Sequence, residues 1–268
     1  MHKTHHTLIL ILTTMLLISL GCATMHVNVA TVTVGELINE SRTVALDNAQ
    51  QVRATVKMGA GDLKIDGGAN ELLEADFTYN VADWAPEVNY TVNDGNGRLS
   101  IRQPNSEQIA AYSDAHCKWK LMFNKEVPLD MRIEYASGNG KLDLGDLNIT
   151  RLDIQLGSGD LTLDLSGNQS LHNLEFDMVT GKAALDLSGN WAENVYVNFQ
   201  GGVGQTTMLL PQTIGVRVVT NQAIGRINAH GLTRQGNAYV NDAYGVSDVT
   251  LEISIQAGVG EINLEVIE

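Results

Sequence analysis

Between Leu152 and Asn190 apolar and polar residues take turns, and the apolar set reads Leu152, Ile154 and Leu156, then Leu161, Leu163 and Leu165, then Leu174, Phe176 and Met178. A two-residue period puts one row of side chains on each face of an extended chain, so each run predicts a strand with one buried and one wet face. The hexapeptide LDLSGN occurs twice here, at 163–168 and 185–190, and small glycine-bearing breaks, Gly157-Ser158-Gly159 and Thr180-Gly181, separate the runs. The pattern predicts two short strands meeting at a corner, with the unit restarting a rung later. One such unit cannot bury its apolar row alone, so copies must stack.

The pattern extends in both directions. Gly140, Gly159, Gly181, Gly204, Gly225 and Gly260 each precede an alternating run, at intervals of 19, 22, 23, 21 and 35 residues. The long last interval predicts an insertion around Thr233–Tyr244 that interrupts the array. Two earlier echoes, GAGDLKI at Gly59–Ile65 and GNGRLSI at Gly95–Ile101, show the same pattern in the front half. No long segment has the 3.6-residue apolar period, so helix is expected to be scarce and the chain all-β.

In chain order, residues 1–22 read as a targeting segment. Lys3 lies in a short leader, and Leu8–Leu20 is an uncharged run of 13 residues, too short to span a bilayer. Ser19-Leu20-Gly21-Cys22 resembles a lipobox, with Cys22 as the thiol to be acylated, although Ser19 stands where Leu is usual. Several acyl chains at about 0.8 kcal/mol per buried CH2 would hold the protein on a membrane. The alternative is ordinary secretion with cleavage near Gly21 or Ala23. A polar tether follows at 23–33. A front β module is expected at 34–104, with VRATVKM, LLEADFTYNV, EVNYTV and GRLSIRQ as strands. A break is expected at Gln103–His116, and the repeat rack at 117–268, opening with WKLMF and VPLDMRIEYA.

Composition narrows the function classes. The chain has 268 residues, 44% hydrophobic and 5% aromatic, with 26 Gly and 4 Pro, which suits stacked strands with tight corners. A formal net charge of −14, with no basic patch, excludes nucleic acid as a partner. Once Cys22 is set aside, Cys117 is the one remaining cysteine, so no internal disulfide is expected. His116 and Cys117 point to opposite faces of an extended chain, so Cys117 reads as a structural thiol rather than a nucleophile.

Motifs that carry chemistry elsewhere are weak here. Gly201–Thr207, GGVGQTT, looks like a phosphate-binding loop, but Gln205 stands where Lys is needed and the next residues continue as a strand. His26, His116, His172 and His230 have no metal-ligand spacing. Trp84, Trp119 and Trp191 are too dispersed for a sugar-stacking platform and read as core plugs or end caps. Asp143, Asp164 and Asp186 fall 21 and 22 residues apart, at equivalent outward positions, and in register would stand about 4.8 Å apart. Such a column is either a solvated ladder, the favoured reading, or a candidate Ca2+ site in which the ion relieves the repulsion. No catalytic residue and no cofactor is expected.

The block VRATVKMGAGDLKIDGGANELLEADFTYNV, then PEVNYTV and GRLSIRQP, a W-x-L-x-F segment, VPLDMRIE and the G-x-G-x-L-x-L rungs together resemble the bacterial toast-rack family of cell-envelope proteins. These are related to the extracytoplasmic part of LiaF-type antibiotic-response proteins. The resemblance runs from about Val34 to Glu268. It implies a β-sandwich-like N-terminal module followed by a stacked-strand β-rack, a β-solenoid of about five or six rungs, with no established activity. The expected role is a surface-tethered scaffold or binding module in envelope sensing or assembly, outside the cytoplasm. The alternative is a polysaccharide-active enzyme using a lateral groove, although Arg132, Arg151, Arg217, Arg226 and Arg234 are scattered in sequence. The run Val259–Glu268 is expected to be an unpaired edge that pairs back near Ala238–Ser247 or docks on a protein partner or a second copy.

Overall fold

The computed structural model describes residues 33–105 and 114–267. The expected targeting segment with Cys22, and the tether up to Val32, lie outside the described residues. Alternation becomes strand almost throughout. The elements are β1 (Val34–Val44), β2 (Gln51–Gly67), β3 (Leu73–Val81), β4 (Glu87–Asn93), β5 (Asn96–Arg102), β6 (Cys117–Phe123), β7 (Leu129–Asp143), β8 (Ile149–Asp164), β9 (Asn173–Asp186), β10 (Val195–Pro211), β11 (Gly215–His230), β12 (Thr233–Gln235), β13 (Ala238–Val240) and β14 (Thr250–Ile267), with one 3-10 turn at Ala82–Trp84. Among the described residues no helix is long and apolar enough to cross a membrane.

Seven strands, β2, β7, β8, β9, β10, β14 and β11 in spatial order, form the rungs, and neighbours pair in parallel. Each turns a corner at a glycine of positive φ, and these glycines lie opposite one another from Gly61 and Gly138 through Gly159, Gly181 and Gly204 to Gly260 and Gly225. The corner changes the phase of the alternation. In β8 the buried row is Leu152, Ile154 and Leu156 before the corner and Leu161 and Leu163 after it. Both rows therefore face one interior, and each rung contributes an arm to each of two layers. Leu163 and Leu185 pair across β8 and β9 and are both buried, as stacking requires. Phe176 and Phe199 stack in the same interior with ring centroids 5.2 Å apart.

The front strands cap this stack by layer. The hairpin β4–β5 continues the first layer beyond Gln51–Lys57, whereas β6, β3 and β1 continue the second layer beyond Asp62–Gly67. The expected boundary between 34–104 and 117–268 is therefore crossed by main-chain pairing. β6 sits between β2 and β3, and β2 pairs with β7 from Val52 to Ile65. Of the two early echoes, GAGDLKI is a rung, with its corner at Gly61, but GNGRLSI is the turn and second strand of a hairpin. Asp94 and Gly95 both have positive φ there, the backbone of a tight two-residue turn.

Two further expectations change. The corner of β7 is Gly138, not Gly140, which makes the first intervals 159 − 138 = 21, then 22, 23 and 21 residues. Gly140 lies opposite Leu161, where a Cβ would come within 2.1 Å of Leu161 Cδ1 and 3.4 Å of the Tyr135 ring. It makes room in the interior rather than a bend. The stretch Val259–Ile267 is not an edge. β14 lies between β10 and β11 and pairs with both along nearly its whole length, so it gains two ladders where an outer position gives one. The expected insertion at Thr233–Tyr244 contains the β12–β13 hairpin, which pairs with Arg217–Val219 of β11 and not with β14. Among the described residues the strand edges left at this end include β12, which pairs only with β13, and the second arm of β11 along Arg226–His230, where Ile227 and Ala229 are half-buried.

A Cβ on Gly181 would lie 1.9 Å from the Gly159 carbonyl oxygen, and φ there is +131°. Gly181→Ala is expected to destabilise by about 3 kcal/mol or more, since backbone strain and a main-chain clash act together. Gly167→Ala, at φ +78° with nothing within 4 Å, should cost only about 1 to 2 kcal/mol. Urea unfolding midpoints of the two variants measure the difference.

Candidate functional site

The chemistry of the rack gathers beside the corners. Two residues before each corner glycine one residue drops out of the ladder. Register passes from Tyr135↔Leu156 to Ser137↔Ser158, leaving Ala136 and Gly157, and the same step recurs at Val179, Gly202 and Gly258. Close stacking explains the small side chains at this position: a Cβ on Gly202 would meet the Val179 carbonyl oxygen at 2.2 Å, and one on Gly258 the Gly202 carbonyl oxygen at 2.5 Å. The slip opens a groove of ≈ 980 Å³ that runs across the strands from β2 to β11, so every rung contributes to it.

One wall of the groove is a polar row, built from the residue four places before each corner glycine. In register it runs Lys57, Glu134, Gln155, Asp177, Gln200, Gln256 and Asn221. At the β2 end the charges are already paired. Lys57 Nζ lies 3.4 Å from Glu134 Oε2, and Arg132 donates to the Glu134 carboxylate at 2.9 Å. From β8 onward the row is four amides around one carboxylate. The side chains of Gln155, Gln200, Gln256 and Asn221 make no hydrogen bond to another described residue. Elsewhere such groups are used by the fold: Gln103 accepts from the Gly59 and Ala60 amides, and Asn168 donates to the Leu144 and Leu147 carbonyls. Burial, with Asp153 and Glu175 adding repulsion, holds the Asp177 carboxyl above its ordinary value. The floor is the small backbone of Ala136, Gly157, Gly202 and Gly258, with Val179 standing 67% exposed.

The residues singled out in the sequence fall elsewhere. Asp143, Asp164 and Asp186 are indeed in register, on the outer face of the second layer. Asp164 and Asp186 turn back on their own strand ends, each accepting from the backbone N–H and hydroxyl of the serine two places on, Ser166 and Ser188. Among the described residues no group of three or more His, Cys, Asp or Glu is placed to hold a metal ion. Gly201–Thr207 lies inside β10, with Gly204 at the corner. Trp84, Trp119 and Trp191 are all buried. His116 is exposed and Cys117 buried, on opposite faces. Arg132 and Arg217 are held by carboxylates on neighbouring rungs, Asp153 at 3.2 Å and Glu252 at 3.0 Å. Cys22 lies outside the described residues. The sequence reading names a lateral groove but none of the residues lining this one, although their signal is present: IQLGSG, FQGGVG and IQAGVG place Gln at one offset from the corner glycine.

The chain matches one family model and is similar to several solved structures. The family model for the N-terminal domain of toast_rack, DUF2154, matches residues 33–172. A solved structure of a candidate cell adhesion protein from Clostridium sporogenes is 30% identical, covers 87% of this chain and 100% of its own, and superposes with a TM-score of 0.67. A candidate adhesin from Bacteroides fragilis is 12% identical over 85% of this chain and 97% of its own, with a TM-score of 0.33. One from Parabacteroides distasonis is 14% identical over 87% and 98%, with a TM-score of 0.35. No curated protein matches the chain.

Burial pushes the Cys117 thiol up to about 12, against 9.0 for a free thiol. Alkylation by iodoacetamide should therefore be slow in the folded protein and fast after unfolding. The sign of the pH effect follows. Below pH 9 the thiol is neutral in both states, and between about 9 and 12 only the unfolded state ionises, so Cys117 should lower stability as pH rises through that window. Unfolding curves at stepped pH, compared with Cys117→Ala, isolate this contribution.

Proposed function

The chain belongs to the toast-rack family, and on that premise we propose that it is a non-enzymatic binding module of the bacterial cell envelope. In this reading acylated Cys22 holds it on a membrane surface outside the cytoplasm, and the corner groove is its ligand-binding surface. The observation that carries the reading is the run of amides along the groove from Gln155 to Asn221, whose side chains bond to no other described residue. Polar side chains with unused hydrogen-bonding capacity, repeated on consecutive rungs beside an apolar floor, are what an extended ligand needs. The similarity to a candidate cell adhesion protein supports a role at the cell surface. A net charge of −14 supports solubility in an exposed setting.

One observation favours a second reading, a polysaccharide-active enzyme. Asp177 faces the groove with its carboxyl raised, as an acid catalyst would require. Release of new reducing ends from polysaccharide, abolished by Asp177→Asn, would establish it.

Two measurements test the main reading. Full-length protein expressed in bacteria should sediment with membrane vesicles, and Cys22→Ala should remain in the supernatant. Capture of isolated cell envelopes by immobilised protein should fall about tenfold or more when Gln200→Trp fills the groove. Equal capture by the variant would show that the groove is not the binding surface.

A further inference from the structure

We propose that the corner groove takes a neutral, extended glycan chain lying across the rungs. This rests on the groove being the binding surface and adds the class of ligand. Four features of the site select it.

The first is the repeat. Gln155, Asp177, Gln200, Gln256 and Asn221 lie on consecutive rungs in direct register, so the groove offers one polar group about every 4.8 Å along its length. That step suits a linear polymer with one polyhydroxylated unit per rise. The second is the kind of group. An amide side chain presents donors and an acceptor together, and a hydroxyl also does both, so each amide can serve a sugar hydroxyl in either sense. The Asp177 carboxylate adds an acceptor in the middle of the row. The third is the floor. Gly157, Gly202 and Gly258 leave backbone open at the surface, and Val179 adds an apolar post, which together meet the C–H face of a sugar ring while the wall meets its hydroxyls.

The fourth feature is what the groove rejects. Phosphate or carboxylate polymers need a free cation, but the Lys57 ammonium is matched by Glu134, and Asp153, Glu175 and Asp177 add negative charge nearby. A peptide strand gains most of its affinity by pairing with an open sheet edge. The rungs that line the groove from β2 to β14 are already paired on both sides, so no such edge is offered there.

Isothermal titration of the mature protein with a length series of neutral β-linked glucan oligosaccharides tests the proposal. Affinity should rise with each added sugar until the oligomer spans the groove, and then level off. The triple variant Gln155→Ala, Gln200→Ala, Gln256→Ala should weaken the longest oligomer about tenfold or more, with an unchanged urea midpoint, because these side chains support nothing else in the fold. Binding that is insensitive to length, or equal in the triple variant, overturns the proposal, as does a groove that takes oligolysine and no neutral glycan. If the triple variant loses envelope capture while no neutral glycan binds, the ligand class is wrong and the groove remains the binding surface. If envelope capture also survives the triple variant, both readings fall.

Discussion

Everything in this molecule depends on how closely one backbone passes another at the corners. From Gly138 to Gly260 the glycines of adjacent rungs approach until a methyl group on one would sit 1.7 to 1.9 Å from a carbonyl oxygen on the next. No side chain tolerates that distance, and the φ values there, +131° at Gly181 and +150° at Gly204, are conformations that glycine adopts at little cost. With the corners in column, the arms on either side must run parallel and in step. The inner rows then coincide without further instruction, so Leu142, Leu163, Leu185, Met208 and Leu264 stack in one line. Register, usually the weak point of parallel pairing, is fixed here by a steric column rather than by turns.

The same constraint creates the groove. A strand that turns so sharply leaves one residue out of the ladder, and close stacking favours glycine or alanine there, although Val179 fits with its side chain turned to solvent. The consequence is a furrow beside the corner and, just before it, an outward position that the interior does not use. That position is free to carry polar groups without cost to packing, which is why Gln, Asp, Glu, Lys and Asn can all occupy it on different rungs of one stack. Packing and outward polar chemistry are thereby assigned to alternate faces of the same strands.

Much of the fold could be read from alternation alone: the two-strand unit, the glycine corner, the shared interior of Leu163 and Leu185. What could not be read depends on long-range placement. Gly140 and Gly138 lie two residues apart in one G-x-G frame, and only the position of Tyr135 and Leu161 in the interior decides which of them bends the chain. GNGRLSI has the letters of a rung, yet Asp94 and Gly95 close a hairpin because β4 precedes it with a complementary row. The residues of the groove are ordinary surface amides until the rungs are aligned on the correct glycine. Asp143, Asp164 and Asp186 do form a repeat, but in two of them the carboxylate serves the local turn.

The position of β14 bears on how such a chain reaches its final form. Rungs β7 to β10 can be laid down one after another as they emerge, each on the edge left by its predecessor. β11 cannot continue that sequence, because its neighbour in the finished stack, β14, is synthesised after it. A nascent chain that ends near residue 240 holds two unmatched flanks, one on β10 and one on β11, and the last eighteen-residue strand closes both at once. Completion of the rack is thus delayed until the segment that carries β14 leaves the ribosome.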